Sequence, residues 1–220
     1  MNPRPTAAES TDGRLVRWDE HKLQRRAHII ESAIAEVRET GPGASVTQIA
    51  KRAGLTRASV YRMFDSPERM YREIGRTITA QYLADFGAAI AAELPTIEMM
   101  AAAIHHYVEF CVNEPELYRF LSRMWTDYDE RSVALPAHQT MAKIMVAAFG
   151  SRPEFAPIDG LEELAYGSIA LMESAVARWV REPVDTREDR ASLERRLTRW
   201  IDALRHSEAT TASRSSSRTS

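Results

Sequence analysis

Ser45-Val46-Thr47-Gln48-Ile49-Ala50-Lys51-Arg52-Ala53-Gly54-Leu55-Thr56-Arg57-Ala58-Ser59-Val60-Tyr61-Arg62-Met63-Phe64-Asp65 holds two helix starts and one stop. Ser45 followed three residues later by Gln48 is a capping box, in which each side chain satisfies the other's otherwise orphan backbone N–H. Gly54 tolerates the left-handed conformation that ends a helix after about two turns. Thr56 offers a second N-cap, and the next helix can run to about Phe64. Ala50 and Val60 set a small residue against a branched one where the two helices cross, and Ile49, Ala53, Leu55 and Met63 complete the seam. This pattern predicts a helix-turn-helix, whose second helix enters a DNA major groove while the first braces against the backbone. An ordinary αα-hairpin shares the spacing, so surface chemistry has to separate the two.

Off the seam, the second helix carries Thr56, Arg57, Ala58, Ser59, Tyr61 and Arg62, and no acidic residue interrupts positions 49 to 64. Hydroxyls and guanidinium groups suit phosphate oxygens, Arg can also bind guanine O6 and N7 in bidentate fashion, and Ala can rest on a thymine methyl. The net charge of −2 conceals an asymmetry: residues 14 to 76 hold 13 basic against 8 acidic residues, while residues 77 to 206 hold 13 against 20. A positive segment beside an acidic one points the first toward a polyanion. With 26 Arg against three Lys, a lone Arg says little.

Working outward, 220 residues with 44% hydrophobic content suffice for one generous domain or two small ones. The nearly balanced charge argues against a disordered polyampholyte or a histone-like basic chain. Charge-free runs such as Thr40 to Ala50 fall far short of the roughly 18 apolar residues of a membrane span. Met1-Asn2-Pro3-Arg4-Pro5 lacks the apolar stretch of a secretory signal, and Cys111 has no second cysteine to pair with. A cytoplasmic protein is expected.

The fold class expected is all-α. Leu23, Ala27, Ile30, Ile34 and Val37 form one stripe on a first helix, which Gly41-Pro42-Gly43 stops. Later helices are expected at about 67–93, 96–113, 115–129, 135–150, 158–182 and 186–206, separated by Pro95, Pro115, Pro153, Pro157 and Pro183. Composition predicts a flexible arm over 1–20, a helix-turn-helix domain over 21–76, a helical domain over 77–207 and a disordered tail over 208–220. Arg14 and Arg17 on the arm could enter a minor groove or stay solvated. Arg25 and Arg26 are either solvent-facing or near phosphate.

The sequence resembles the N-terminal DNA-binding domain of the TetR/AcrR family of bacterial transcriptional regulators. The residues carrying the likeness are Val46-x-x-Ile49-Ala50, Ala53-Gly54-Leu55-Thr56, Val60-Tyr61-x-x-Phe64 and Ser66-Pro67-Glu68, within about residues 22 to 75. The resemblance implies that Ser45, Thr47, Thr56, Tyr61 and Arg62 grip phosphates, that Arg57, Ala58 and Ser59 approach base edges, and that Phe64 closes a small core. One departure stands out: the family commonly places Lys after the Ser at the start of helix four, and this chain has Pro67. Arg69 or Arg72 are the candidates to replace that cation.

The resemblance further implies a C-terminal domain that dimerises and often encloses a ligand. In the expected helix 158–182, Gly167, Ala170, Ser174 and Ala177 form a small-residue face, and Ala165, Ile169, Met172, Val176 and Trp179 a bulky one. With Leu193, Leu197, Trp200, Ile201 and Leu204 on the last helix, these predict a two-fold four-helix interface, packing of the small face within the chain being the alternative. Met100, Ile104, Tyr107, Met124, Trp125, Tyr128 and Met145, with Cys111, Leu121 and Met141 nearby, are candidates for an adaptable cavity, or else for plain core. His105, His106 and Glu109 have no second ligand cluster, so no metal or cofactor is expected.

None of the phosphate-binding loops or nucleophile, zinc and di-iron motifs of helical or α/β enzymes occurs. The expected function is therefore a non-enzymatic, sequence-specific regulator, a homodimer on a palindromic operator that a small effector releases. A DNA-organising protein without ligand control is the alternative, and a helical enzyme a more remote one.

Overall fold

The computed structural model describes the backbone of residues 7–90, 94–126, 134–150, 152–155 and 158–216, and the side chains of residues 20–88, 94–124, 139–150, 152–155 and 158–209. Every regular element among the described residues is helical: α1 (Ala7–Thr40), a 3-10 turn (Gly41–Gly43), α2 (Val46–Arg52), α3 (Arg57–Phe64), α4 (Pro67–Ile90), α5 (Thr96–Asn113), α6 (Pro115–Thr126), α7 (Ala134–Phe149), α8 (Leu161–Arg181) and α9 (Arg190–Ser216). The chain divides into two compact units that meet between Thr77 and Ile78, inside α4.

The residues expected as an arm and a tail are helical over 7–20 and 208–216. Extending an existing helix needs no new nucleus, and neither stretch contains a proline. The side chains of Arg14 and Arg17 lie outside the described residues. On α1 the buried face is Ile29, Ile30, Ala33, Ile34 and Val37, whereas Leu23 and Ala27 are exposed. The apolar stripe thus enters the core about two turns later than its periodicity suggests, because periodicity marks a face and not whether anything covers it.

In the second unit α5 packs against α6, α8 and α9, and α8 also contacts α7 and α9. The bulky face of α8, Ala165, Ile169, Met172, Val176 and Trp179, is buried throughout. Trp179 donates from Nε1 to the Glu188 carbonyl at 2.8 Å, which ties the end of α8 to the loop before α9. Leu193, Leu197 and Ile201 are buried within the same subunit. Leu197 and Ile201 are therefore core residues and leave the expected interface: α9 turns that side toward α5 and α8, and only Trp200 and Leu204 of the set remain exposed. Cys111 is buried, and burial pushes its thiol up to about 12.

Candidate nucleic-acid interface

The turn forms as its residues dictate. Ser45 and Gln48 complete both halves of the capping box. At the other end of α2, Gly54 sits at φ +66, with Leu55 N–H donating to the Ala50 carbonyl at 2.9 Å and Gly54 N–H to Lys51 at 3.1 Å. These two bonds make a Schellman motif. Thr56 Oγ1 then accepts from the Ser59 amide at 3.2 Å and caps α3. Ile49, Ala50, Ala53 and Val60 are buried in the seam, and Phe64 is buried below it.

Thr47, Thr56, Arg57, Ala58 and Arg62 are exposed, and Ser45, Ser59 and Tyr61 half-exposed. Among the described residues their side-chain bonds stay within their own helix or cap. Arg57 donates to the Tyr61 hydroxyl at 2.8 and 3.1 Å, its guanidinium 5.2 Å from the ring centroid. Arg62 donates to Ser59 Oγ at 3.2 Å, and Ser59 Oγ lies 3.0 Å from Thr56 Oγ1. Two guanidinium groups, two hydroxyls and a phenol are thus held on one surface by short-range bonds that a duplex can replace.

Several charges near this surface are already committed. Arg52 pairs with Glu36 at 2.7 Å and with Glu39, both on α1, so it fastens α2 to α1. Arg69, one candidate for the cation missing at Pro67, pairs with Asp65 at 2.7 Å. Asp65 is the one non-glycine at positive φ among the described residues (φ +62), and Ser66 N–H donates to the Phe64 carbonyl at 2.7 Å around it. A tight, strained turn therefore sets where α4 departs from α3.

Arg26 resolves to neither solvent nor phosphate. It donates from Nε to Glu73 Oε1 at 2.7 Å, forms a second bond to the same carboxylate, and donates to the Met63 carbonyl at 2.6 Å. Its guanidinium lies 4.4 Å from the Phe64 ring centroid. One side chain of α1 thus holds the C-terminal end of α3 and the start of α4. Tyr71 adds a bond from its hydroxyl to the Ala44 carbonyl at 2.7 Å, bracing the entry to α2. These clamps join residues 27 to 47 positions apart, and no local sequence pattern announces them. Arg26→Ala should speed amide hydrogen exchange in α3 by about 5- to 30-fold, the loss of about 1 to 2 kcal/mol expected for a one-third-exposed ion pair with a cation–π contact. Unchanged α3 exchange would remove the clamp assignment, and Arg26→Lys should restore little, because an ammonium cannot make the two-point carboxylate contact.

In the second unit the expected cavity residues separate. Met100 and Met145 border two small apolar cavities of about 30 and 20 Å³, the second also lined by Ile104. Such volumes hold about one water, so these side chains fill the core as packed. Tyr107 lies elsewhere, in the wall of an open groove of about 420 Å³ between α5, α6 and α8. Met124 is half-buried and lines neither space; Tyr128 and the side chain of Trp125 lie outside the described residues. His105 faces Glu194 of α9 at 3.2 Å, where Arg190 also binds at 2.7 Å. No cluster of three metal-ligating side chains occurs among the described residues, and no described helix is long and apolar enough to cross a membrane.

Residues 29–74 match the family described as bacterial regulatory proteins, tetR family, and residues 93–203 match the tetracyclin repressor-like C-terminal domain. The chain belongs to the TetR family. It is 26% identical over 182 residues to an uncharacterized HTH-type transcriptional regulator of Mycobacterium tuberculosis, covering 81% of this chain and 77% of that one. A TetR-family regulator from Streptomyces coelicolor superposes with TM-score 0.66 at 22% identity, covering 86% and 83% of the two chains. FadR of Thermus thermophilus, a TetR-family repressor solved with lauroyl-CoA, superposes with TM-score 0.61 at 17% identity over 80% and 92%. As a member of this family the protein is a DNA-binding transcriptional regulator and not an enzyme.

Proposed function

We propose that this TetR-family protein is a homodimeric, cytoplasmic repressor that holds a palindromic operator and releases it when a small molecule enters the C-terminal unit. The exposed α3 surface carries the DNA half of this reading. Its guanidinium and hydroxyl groups bond only within their own helix and cap, while neighbouring cations that could blur the pattern, Arg26, Arg52 and Arg69, are paired with carboxylates. Ser45, Thr47, Thr56, Tyr61 and Arg62 would position the helix on phosphates, and Arg57, Ala58 and Ser59 would face base edges.

A single short helix reads only a few base pairs, so useful specificity needs two readers at a fixed spacing. The exposed small face of α8 supports the pairing. Gly167, Ala170 and Ser174 are exposed, Ala177 is half-exposed, and a Cβ built on Gly167 meets no atom within 4 Å. On α9, Trp200 and Leu204 are 41% and 44% exposed. Small residues allow close helix approach, and exposed apolar groups beside them favour burial against a second copy. The lauroyl-CoA held by FadR supports a role for the second unit as an effector domain.

The test is selection from a random duplex pool followed by competition. The protein should enrich a palindrome, and a scrambled duplex of equal composition should bind about 10³-fold or more weakly at physiological salt. Equal competition by the scrambled duplex would refute sequence-specific repression and leave a DNA-organising role.

A further inference from the structure

The first half of α1 carries a row of basic positions that the helix-turn-helix does not absorb. At 3.6 residues per turn, Arg14, Arg17, His21, Arg25 and His28 fall within about 80° of one another around the helix axis, while Asp12 and Asp19 fall on the opposite side. Contacts further along α1 fix where this side points. His28 Nε2 donates to the Ala53 carbonyl at 3.2 Å. Glu36 and Glu39 continue the same side and hold Arg52 of α2. The row therefore runs up to the end of α2 and the turn at Gly54, immediately before α3 begins. Arg26, next in sequence to Arg25, faces the other way and is spent on Glu73 and the Met63 carbonyl. His21 and Arg25 are exposed and make no side-chain bond among the described residues.

We propose that this row is a second DNA contact, in which α1 lies along the phosphate backbone beside the half-site that α3 reads. The N-terminal residues of a recognition helix are the ones that reach base edges, so the turn before α3, and the side of α1 that adjoins it, both stand toward the duplex. Length and charge fit this placement. Arg14 lies roughly 16 Å along the helix from Arg25 at 1.5 Å rise per residue, and one DNA strand presents a phosphate about every 3.4 Å along the axis. Three guanidinium groups spread over that length can meet phosphates without reading a base. The helix itself contributes, because α1 is continuous from Ala7: the arginines arrive at fixed spacing, with less chain left for binding to order. An anionic lipid surface is the competing polyanion, but this row ends against α2 and the start of the recognition helix, where a duplex and not a bilayer has to sit. The inference rests on the DNA-binding reading above and extends it from one contact surface to two.

The test is a salt series of fluorescence anisotropy with the full chain on the selected palindrome and on a scrambled duplex. Arg25→Ala should lower the salt slope by about 1 per half-site, and Arg14→Ala with Arg17→Ala by about 2. All three together should weaken both duplexes by about ten-fold or more at low salt and leave the ratio between them unchanged. Replacing the same three arginines with Lys should keep the slope, since a phosphate contact of this kind needs the charge and not the fork. Arg123→Ala, at an exposed arginine of α6, should not alter it. The hydroxyl-radical footprint on the palindrome should lose about three to five protected nucleotides per half-site in the triple alanine variant. An unchanged slope or footprint in that variant would overturn the proposal. Loss of binding to phosphatidylglycerol vesicles in the same variant, with duplex binding intact, would overturn it in favour of a lipid partner. The two readings fail separately. Equal binding of palindrome and scrambled duplex by the unaltered chain would overturn operator recognition while the slope still reports on the row, whereas a preserved preference with an unchanged slope would overturn the row alone.

Discussion

Arg57→Ala should abolish most of the preference for the selected palindrome while leaving binding to scrambled duplex nearly unchanged. Arg57 is exposed at the start of α3, bonded to Tyr61, and pairs with no carboxylate among the described residues. Its two bonds to a phenol can be exchanged for two bonds to guanine O6 and N7. A bidentate contact of that kind is worth about 1 to 3 kcal/mol of discrimination, and two-fold symmetry doubles it, so specificity should fall by roughly 30-fold or more. Two companion variants separate the roles. Thr47→Ala should weaken all duplexes alike, and Arg62→Ala should do so while lowering the salt slope by about 1 per half-site. Fluorescence anisotropy on selected and scrambled duplexes across a salt series reads all three, and an undiminished preference in Arg57→Ala would remove it from the base contacts.

The second large effect belongs to α8. If the proposed α8 pairing holds the dimer, Ala170→Glu combined with Ala177→Glu should convert the proposed dimer to monomers in sedimentation velocity and weaken binding to the selected palindrome by about 100-fold or more, since one half-site contact then acts alone. Neither side chain is buried within the subunit, so helicity and melting of the isolated chain should change little. A carboxylate pressed against a symmetry mate, with a second one opposite, carries an uncompensated desolvation cost. Should the double variant remain a stable dimer, the pairing surface lies elsewhere.

The helix-turn-helix was legible because its signals are local. Ser45 and Gln48, Gly54, and Thr56 each act within three or four residues, and the caps that form are the ones their chemistry dictates. The all-helical architecture and the buried face of α8 were legible for a similar reason, since helical periodicity survives any tertiary arrangement. What escaped was long-range. Arg26 reads as a surface cation until Glu73 and the Met63 carbonyl are placed beside it, 47 and 37 residues away. Leu197 and Ile201 share a face with Trp200 and Leu204 in the sequence pattern, and only the packing of α5 and α8 divides that face into core and surface. The expected cavity failed as a group because methionines that could line a void also fill one, and here Met100 and Met145 leave room for little more than a water molecule.

The division of labour on α3 also bears on how its DNA target can drift. Val60 and Phe64 anchor the inward side, with Arg26 gripping its far end, whereas positions 57, 58, 59 and 62 answer to nothing beyond their own turn and cap. On the proposed reading, in which positions 57, 58 and 59 face base edges, substitution there leaves the scaffold's stability almost untouched, so selection can rewrite the recognised base pairs one at a time without passing through an unfolded intermediate.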